Sequence, residues 1–299
     1  MNQHPAQDSG LTHIPVMITE VLSYLAIQPD GIYLDGTIGP GGHAISVLKE
    51  LTDGGKVVGI DRDEEALDIC KQNLKTSSSF LSLHHNSYAN LDNILAAEGL
   101  SAVHGILLDL GLSSLQLGSK NRGFSYRSEG PLDMRFDQSN GSNAKKLIDQ
   151  ADRESLVQIF KEYGEERLAS RIAKSIKEMT AMNTIADLRE AIRRCTPPNH
   201  RDRTFARIFQ ALRIAVNGEL DILQQFLAKF IDFLHPGGRI VIISYHSLED
   251  RLVKHSFKEL ASGGTLDILT KRPITATEKE RKNNRRAGSA KLRAAVKVA

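Results

Sequence analysis

The chain has 299 residues, 40% hydrophobic and 25% charged, so wholesale disorder is excluded and about two domains are expected at this length. Its two cysteines, Cys70 and Cys195, stand far apart without CxxC spacing, which excludes a disulfide framework and a cysteine zinc site and suits a reducing compartment. The net charge of +3 hides an asymmetry: residues 271–299 hold ten Lys/Arg against two Glu, and seven arginines fall between Arg189 and Arg213. Clusters of this kind are the footprint of a polyanion partner. Residues 1–13 are polar, unlike a secretory signal, and no apolar run approaches the ~20 residues of a bilayer span. A soluble, cytoplasmic protein without a membrane partner is expected.

Short apolar runs then alternate with helical patterns, the signature of a parallel sheet with crossover helices. Gly31–Asp35 reads as a first strand, followed by a glycine turn and a helix from about Gly42 to Leu51. Lys56–Asp61 is a second strand, and Asp63 caps a second helix that runs to about Leu74. A third strand is expected at Phe80–His84, with a helix near Tyr88–Glu98. Val103–Asp109, apolar on both faces, is a central fourth strand. From about 113 to 216 strand-like alternation stops; a Gly/Ser/Arg-rich loop gives way to helical periodicity, punctuated by Pro197 and Pro198. A helix over Glu219–Leu234, a turn at Pro236-Gly-Gly, a fifth strand over Arg239–Tyr245, a helix over 248–261 and two strands near 265–271 and 290–298 complete the order. The fold class expected is α/β: a doubly wound sheet, residues 1–112 and 217–299, with an all-helical domain at 113–216 inserted after the fourth strand.

Asp35-Gly-Thr-Ile-Gly-Pro-Gly-Gly-His43 lies between a strand and a helix, where Gly39, Gly41 and Gly42 let the backbone approach a ligand at a helix N-terminus. Asp61 ends the next strand 22 residues beyond Gly39, the place of a carboxylate that binds a ribose diol. The glycines run G-x-G-G, not G-x-G-x-x-G, and the acidic Asp35 would repel a pyrophosphate while attracting an ammonium or sulfonium. S-adenosylmethionine is therefore favoured over NAD. After the third strand, Asn86 can bond an adenine edge and Tyr88 can stack on its face. His84 and His85 have no acidic or cysteine partner at ligand spacing, so no metal is expected.

Ligands in open α/β sheets sit outside the carboxyl ends of the strands, which places Asp109 toward the reaction. At the end of the fifth strand, Ser247 with Asp250 reads as a helix cap, leaving Tyr245 and His246 to line the pocket as further catalytic candidates.

These residues carry a family resemblance. The stretch from His13 to Met17, the turn Asp35–His43, Gly59–Asp63, Gly105–Gly111, Arg122–Ser125, Gly130–Arg135, Tyr163–Arg167, Arg213–Glu219 and Ile243–Arg251 together resemble the bacterial ribosomal RNA small-subunit methyltransferase H (MraW) family. The likeness runs in order from about residue 12 to the C-terminus. It implies a class I, Rossmann-like methyltransferase sheet and S-adenosylmethionine-dependent methylation of the exocyclic N4 of a cytosine in the decoding region of 16S ribosomal RNA. It also implies cofactor contacts at Gly41, Gly42, His43, Asp61, Tyr88, Asp109 and Gln116. Two departures stand out: Tyr88 occupies a place where phenylalanine is common, and Leu115 replaces the proline usual before the glutamine. Naked RNA and an assembled small subunit both remain open as substrates, as do monomer and homodimer. Competing readings are an NAD(P)-dependent oxidoreductase, against which the G-x-G-G turn and basic tail argue, and a non-catalytic RNA-binding protein, against which Asp35, Asp61 and Asp109 argue.

Overall fold

A computed structural model describes residues 14–75 and 80–298; His13 and the polar segment before it lie outside the described residues. Helix α1 (Ile18–Leu25) precedes five parallel strands, β1 (Ile32–Asp35), β2 (Lys56–Asp61), β3 (Leu81–His85), β4 (Val103–Asp109) and β5 (Leu234–Ser244). Between the first four run α2 (Gly42–Leu48), α3 (Glu64–Asn73) and α4 (Leu91–Ala97). The spatial order β3-β2-β1-β4-β5 reverses direction between β1 and β4, and a doubly wound sheet opens its ligand crevice at that point.

Alternation along the central strands explains the two-sided burial. Ile106 and Leu108 of β4, with Ile240 and Ile242 of β5, face a core that includes Phe226, Phe230 and Phe257. Leu107, Val241 and Ile243 face the opposite core, with Val47, Leu67 and Leu292. Successive side chains of a strand point to opposite faces, so a strand covered on both sides is apolar throughout.

Between β4 and β5 the chain forms α5 (Ser114–Gly118), α6 (Ala144–Gln150), α7 (Arg153–Glu162), α8 (Ala169–Lys177), α9 (Ile185–Cys195), α10 (Arg201–Asn217) and α11 (Glu219–Leu227). Buried side chains from Phe124 to Leu212 make a third core of their own, around Leu156, Phe160, Ile172, Leu188 and Ile208. Local chemistry fixes these helices: Ser113 and Gln116 form a capping box on α5, Thr184 and Asp187 another on α9, each satisfying otherwise unpaired N–H groups. Helix α10 stops at Gly218, whose φ of 60° suits a glycine at a helix end.

The sheet's second half departs from expectation. The helix over Glu219–Leu234 ends at Leu227, a 3-10 turn fills Phe230–Phe233, and β5 begins at Leu234. Val103 pairs with Leu234 but Gly105 pairs with Arg239, so Pro236-Gly-Gly sits in a bulge within the strand. Helix α12 (Ser247–Ser262) is followed by β6 (Leu266–Ile268), the two-residue β7 (Ile274–Thr275), α13 (Glu278–Asn283) and β8 (Lys291–Lys297). Strand β8 is interior: it runs antiparallel to β5 on one edge and to β6 and β7 on the other. Part of the basic tail is therefore structural, since Arg293 bonds Asp250 of α12 at 2.7 Å and Lys297 donates to the carbonyls of Ile231 and Leu234.

Candidate active site

The turn after β1 is held from below by β2. Oδ2 of Asp61 accepts the Gly39 N–H at 2.8 Å and Oδ1 accepts the Asp63 N–H at 2.9 Å. Gly41 has φ 92°, and a Cβ there would lie 2.9 Å from Leu74 and 3.0 Å from Cys70 Sγ, so only glycine lets α2 start this close to α3. Burial pushes the Asp61 carboxyl up to about 6. Asp35 is pushed further, to about 8, by burial first and then by the charges of Asp109 and Asp61, against an opposing bond from the Thr37 N–H.

Asp109, at the end of β4, is the meeting point of four chain segments. Its N–H donates to Thr37 Oγ1 at 2.6 Å, and its Oδ1 accepts the Tyr245 hydroxyl at 2.7 Å. Its Oδ2 lies 4.0 Å from His43 Nδ1 and 3.9 Å from Arg286 Nη2. Nε2 of His43 is 2.9 Å from the Val16 carbonyl, which can only accept, so Nε2 carries the proton. Burial and the adjacent Asp109 charge hold the Tyr245 phenol far above its ordinary range; it stays protonated and donates. Gly111 makes room for it, because a Cβ there would meet the Tyr245 ring at 2.5 Å.

One cleft joins these groups. Gly39, Gly42, His43, Asp61, Tyr88, Asp109 and Gln116 line it, with Arg62, Phe136, Glu219, Glu249 and Arg286. Tyr88 is buried, its ring edge-on to Phe226. Gln116 is fixed at both ends of its amide: Oε1 accepts the Ser113 N–H and Nε2 donates to Asp63 Oδ2.

Other candidates fall elsewhere. The Asp35 side chain lies beneath the turn, beside a small apolar cavity lined by Leu25, Tyr33 and Val47. Asn86 spends its oxygen on the Ser87 N–H and the Asn90 amide, which organises the turn before α4, and it does not line the cleft. His246, not Ser247, caps α12: its Nδ1 accepts the Glu249 N–H, while Glu249 Oε2 accepts the N–H groups of His246 and Tyr245. A capping role thus explains His246; neither it nor Tyr245 lines the cleft, and of the two only Tyr245 reaches Asp109. Both histidines do find an acid: His84 Nε2 lies 2.6 Å from Glu98, and His85 Nε2 lies 3.0 Å from the Arg62 carbonyl and 3.9 Å from Asp137. Glu219, His246 and Glu249 bring one potential ligand atom each within 4.8 Å, but both Glu219 oxygens are engaged by Arg213 at 2.8 and 2.9 Å.

The arginines read as a polyanion footprint divide. Arg193, Arg194 and Arg203 are exposed, whereas Arg213 pairs with Glu219, Arg207 faces Glu166 and Arg189 bonds the Tyr126 carbonyl. In the tail Arg285 is exposed but Arg286 lines the cleft. Charge counting groups Arg286 with Arg285 as an RNA contact, because a count carries no direction. Arg122 was legible only within a motif; it is buried, pairs with Asp63 at 2.8 Å and also reaches Glu65 and the carbonyls of Arg135 and Phe136.

Residues 10–298 match the model of the MraW methylase family. The chain belongs to that family. It is 44% identical over 309 residues to the ribosomal RNA small subunit methyltransferase H of Halothermothrix orenii, covering 96% of this chain and 99% of that one. It is 46% identical over 292 residues to the protein of the same name from Kosmotoga olearia, covering 96% of this chain and 98% of the other. Among the described residues, no helix of this family member is long and apolar enough to cross a membrane.

Proposed function

We propose that the chain is an S-adenosylmethionine-dependent methyltransferase that acts on small-subunit 16S ribosomal RNA, at the exocyclic N4 of a cytosine. The observation that carries this reading is the convergence of the glycine turn, Asp61 and Asp109 on one cleft at the reversal point of the sheet. The donor set fits the cofactor: a carboxylate at the end of β2 for a ribose diol, an aromatic face at Tyr88, and acidic groups suited to a cation and hostile to a pyrophosphate.

When bound, S-adenosylmethionine supplies an electrophilic methyl group on a sulfonium. The chain's own residues position the nucleophile and receive charge. Cytosine N4 is a weak nucleophile because its lone pair is delocalised into the ring, so alignment matters; holding reactants at about 3–3.5 Å is worth roughly 7–11 kcal/mol. Asp109 Oδ1, already accepting from Tyr245, keeps a second lone pair for an amino N–H and stabilises positive charge as it develops on nitrogen. Tyr245 acts as a positioning residue, fixing the carboxylate's rotation. Residues 113–216, with their separate core and the exposed Arg193, Arg194 and Arg203, form the RNA-recognition domain; residues up to 112 and from 217 form the cofactor domain.

The test is transfer of labelled methyl from S-adenosylmethionine to small-subunit RNA, presented naked and as assembled particles, followed by nucleoside mass spectrometry. N4-methylcytidine dependent on the protein is expected. Label on another base atom, or none with either substrate, overturns the assignment.

A further inference from the structure

Asp109 and Arg286 make a carboxylate–guanidinium pair on the wall of the cleft, one from the end of β4 and the other from the C-terminal turn. The side chain of Arg286 is only 14% exposed, and its backbone is fixed from several directions. It lies in a 3-10 turn over Arg285–Gly288, whose cap Asn284 accepts the Arg286 N–H at 3.2 Å and donates to the Ile14 carbonyl at 3.0 Å. The next residue, Ala287, is buried in the core beneath. Glu280 of α13 accepts the Met17 N–H at 2.7 Å, and the Val16 carbonyl meets His43. The segment 14–17 is thus clamped between α2 and the C-terminal turn, and this clamp holds Arg286 beside the start of α2.

Each end of the cleft carries an acid and an arginine. Asp61 and Arg62 stand at the β2 end, where Arg62 donates to the Asn217 carbonyl and overlies Phe136. Asp109, His43 and Arg286 stand at the β4 end, with 3.9 Å between Asp109 Oδ2 and Arg286 Nη2, longer than a direct hydrogen bond. An α-amino acid carries its ammonium and carboxylate on one carbon, so its recognition needs an acceptor and a donor side by side. The Asp109–Arg286 pair has that form, and a guanidinium binds a carboxylate through parallel N–H donors.

We propose that Arg286 receives the α-carboxylate of S-adenosylmethionine while Asp109 Oδ2 faces its ammonium, so that this pair reads the amino-acid end of the cofactor. The proposal rests on the cofactor reading above and adds a binding residue from the C-terminal turn.

Decarboxylated S-adenosylmethionine tests it, because this analogue keeps the adenosine, sulfonium and ammonium and lacks only the carboxylate. Calorimetry on the parent protein should show about 10- to 100-fold tighter binding of S-adenosylmethionine than of the analogue, the range for a hydrogen bond to a charged group. In Arg286→Gln that preference should collapse, with affinity for the analogue kept. Arg286→Lys should retain an intermediate preference. A parent that binds both ligands equally overturns the proposal without any variant having to fold. So does an equal loss of both ligands in either variant, or an unchanged preference in Arg286→Gln accompanied by weaker RNA binding, which would place the guanidinium on a phosphate. A parent that binds neither ligand removes the cofactor reading itself, a separate failure.

Discussion

The Tyr245 hydroxyl donates a 2.7 Å hydrogen bond to Asp109 across 136 residues of sequence, linking the carboxyl ends of β5 and β4. Glu249 anchors the same tyrosine by accepting its backbone N–H at 2.8 Å. Removing the hydroxyl in Tyr245→Phe leaves one Asp109 oxygen without its donor. Single-turnover methylation at saturating cofactor is expected to slow by about tenfold, since a hydrogen bond to a charged group is worth about 1.5–3 kcal/mol. Asp109→Asn should slow it by more than tenfold, because the amide cannot carry negative charge opposite a developing cation. An unimpaired rate in Asp109→Asn would move proton acceptance to another side chain.

Asp61→Ala removes the carboxylate at the end of β2. Binding of S-adenosylmethionine should weaken by about 1.5–3 kcal/mol, measured by calorimetry on protein shown to be folded. Unchanged affinity in a folded variant would sink the ribose assignment.

The buried Asp35 makes the protein without ligand sensitive to pH. Its carboxyl is raised from 3.8 to about 8 by burial. Between those values the folded chain holds a proton that the unfolded chain has released, so stability falls as pH rises through the window. Asp35→Asn keeps an oxygen for the Thr37 N–H and abolishes this titration. The variant's unfolding free energy should match the parent's near pH 4 and exceed it at pH 8, by on the order of a few kcal/mol. Parallel stability curves for the two proteins, in denaturant titrations from pH 4 to 8, would contradict this account.

Arg122 joins the loop after β4 to the start of α3. Its guanidinium and the Asp63 carboxylate are both only 3% exposed, and cutting one partner of a buried pair leaves the other charge uncompensated. Arg122→Ala is expected to cost about 3–5 kcal/mol of stability. The variant should also show faster proteolysis within 120–143, because the arginine also ties down the carbonyls of Arg135 and Phe136.

Arg285 and Arg286 separate by side-chain direction. Arg285→Ala should leave cofactor affinity unchanged and flatten the slope of log K against log salt for RNA by about 0.7, the value for one phosphate contact on a single strand. An identical slope in variant and parent would show that Arg285 does not touch phosphate.

Much of this architecture was legible in the sequence because strands buried on both faces are apolar throughout: β2 and β4 sit close to where the runs of valine, isoleucine and leucine placed them. Asp61 and Asp109 were legible because each acid ends such a run. The cap of α12 was read one residue late, since a histidine followed three residues later by Glu249 is a less familiar capping pair than Ser247 with Asp250. Arg286 and Arg293 were hidden among like-charged neighbours; the pairing of β8 with β5 sets the direction of Arg293, and the turn held by Asn284 and the buried Ala287 sets that of Arg286, contacts that local periodicity does not encode. Asn86 follows β3 where expected, but its oxygen is taken by two local donors and it does not line the cleft.

The interior position of β8 also governs how the protein comes into being. A ribosome that has synthesised the chain only as far as α13 has released a sheet whose β5 still lacks one neighbour and a cleft without Arg286. Parallel strands pair early with partners close in sequence, yet the closing ladder must wait for residues 291–297. Completion of the sheet is therefore a late event, and a nascent or clipped chain that ends before β8 exposes the unpaired edge of β5.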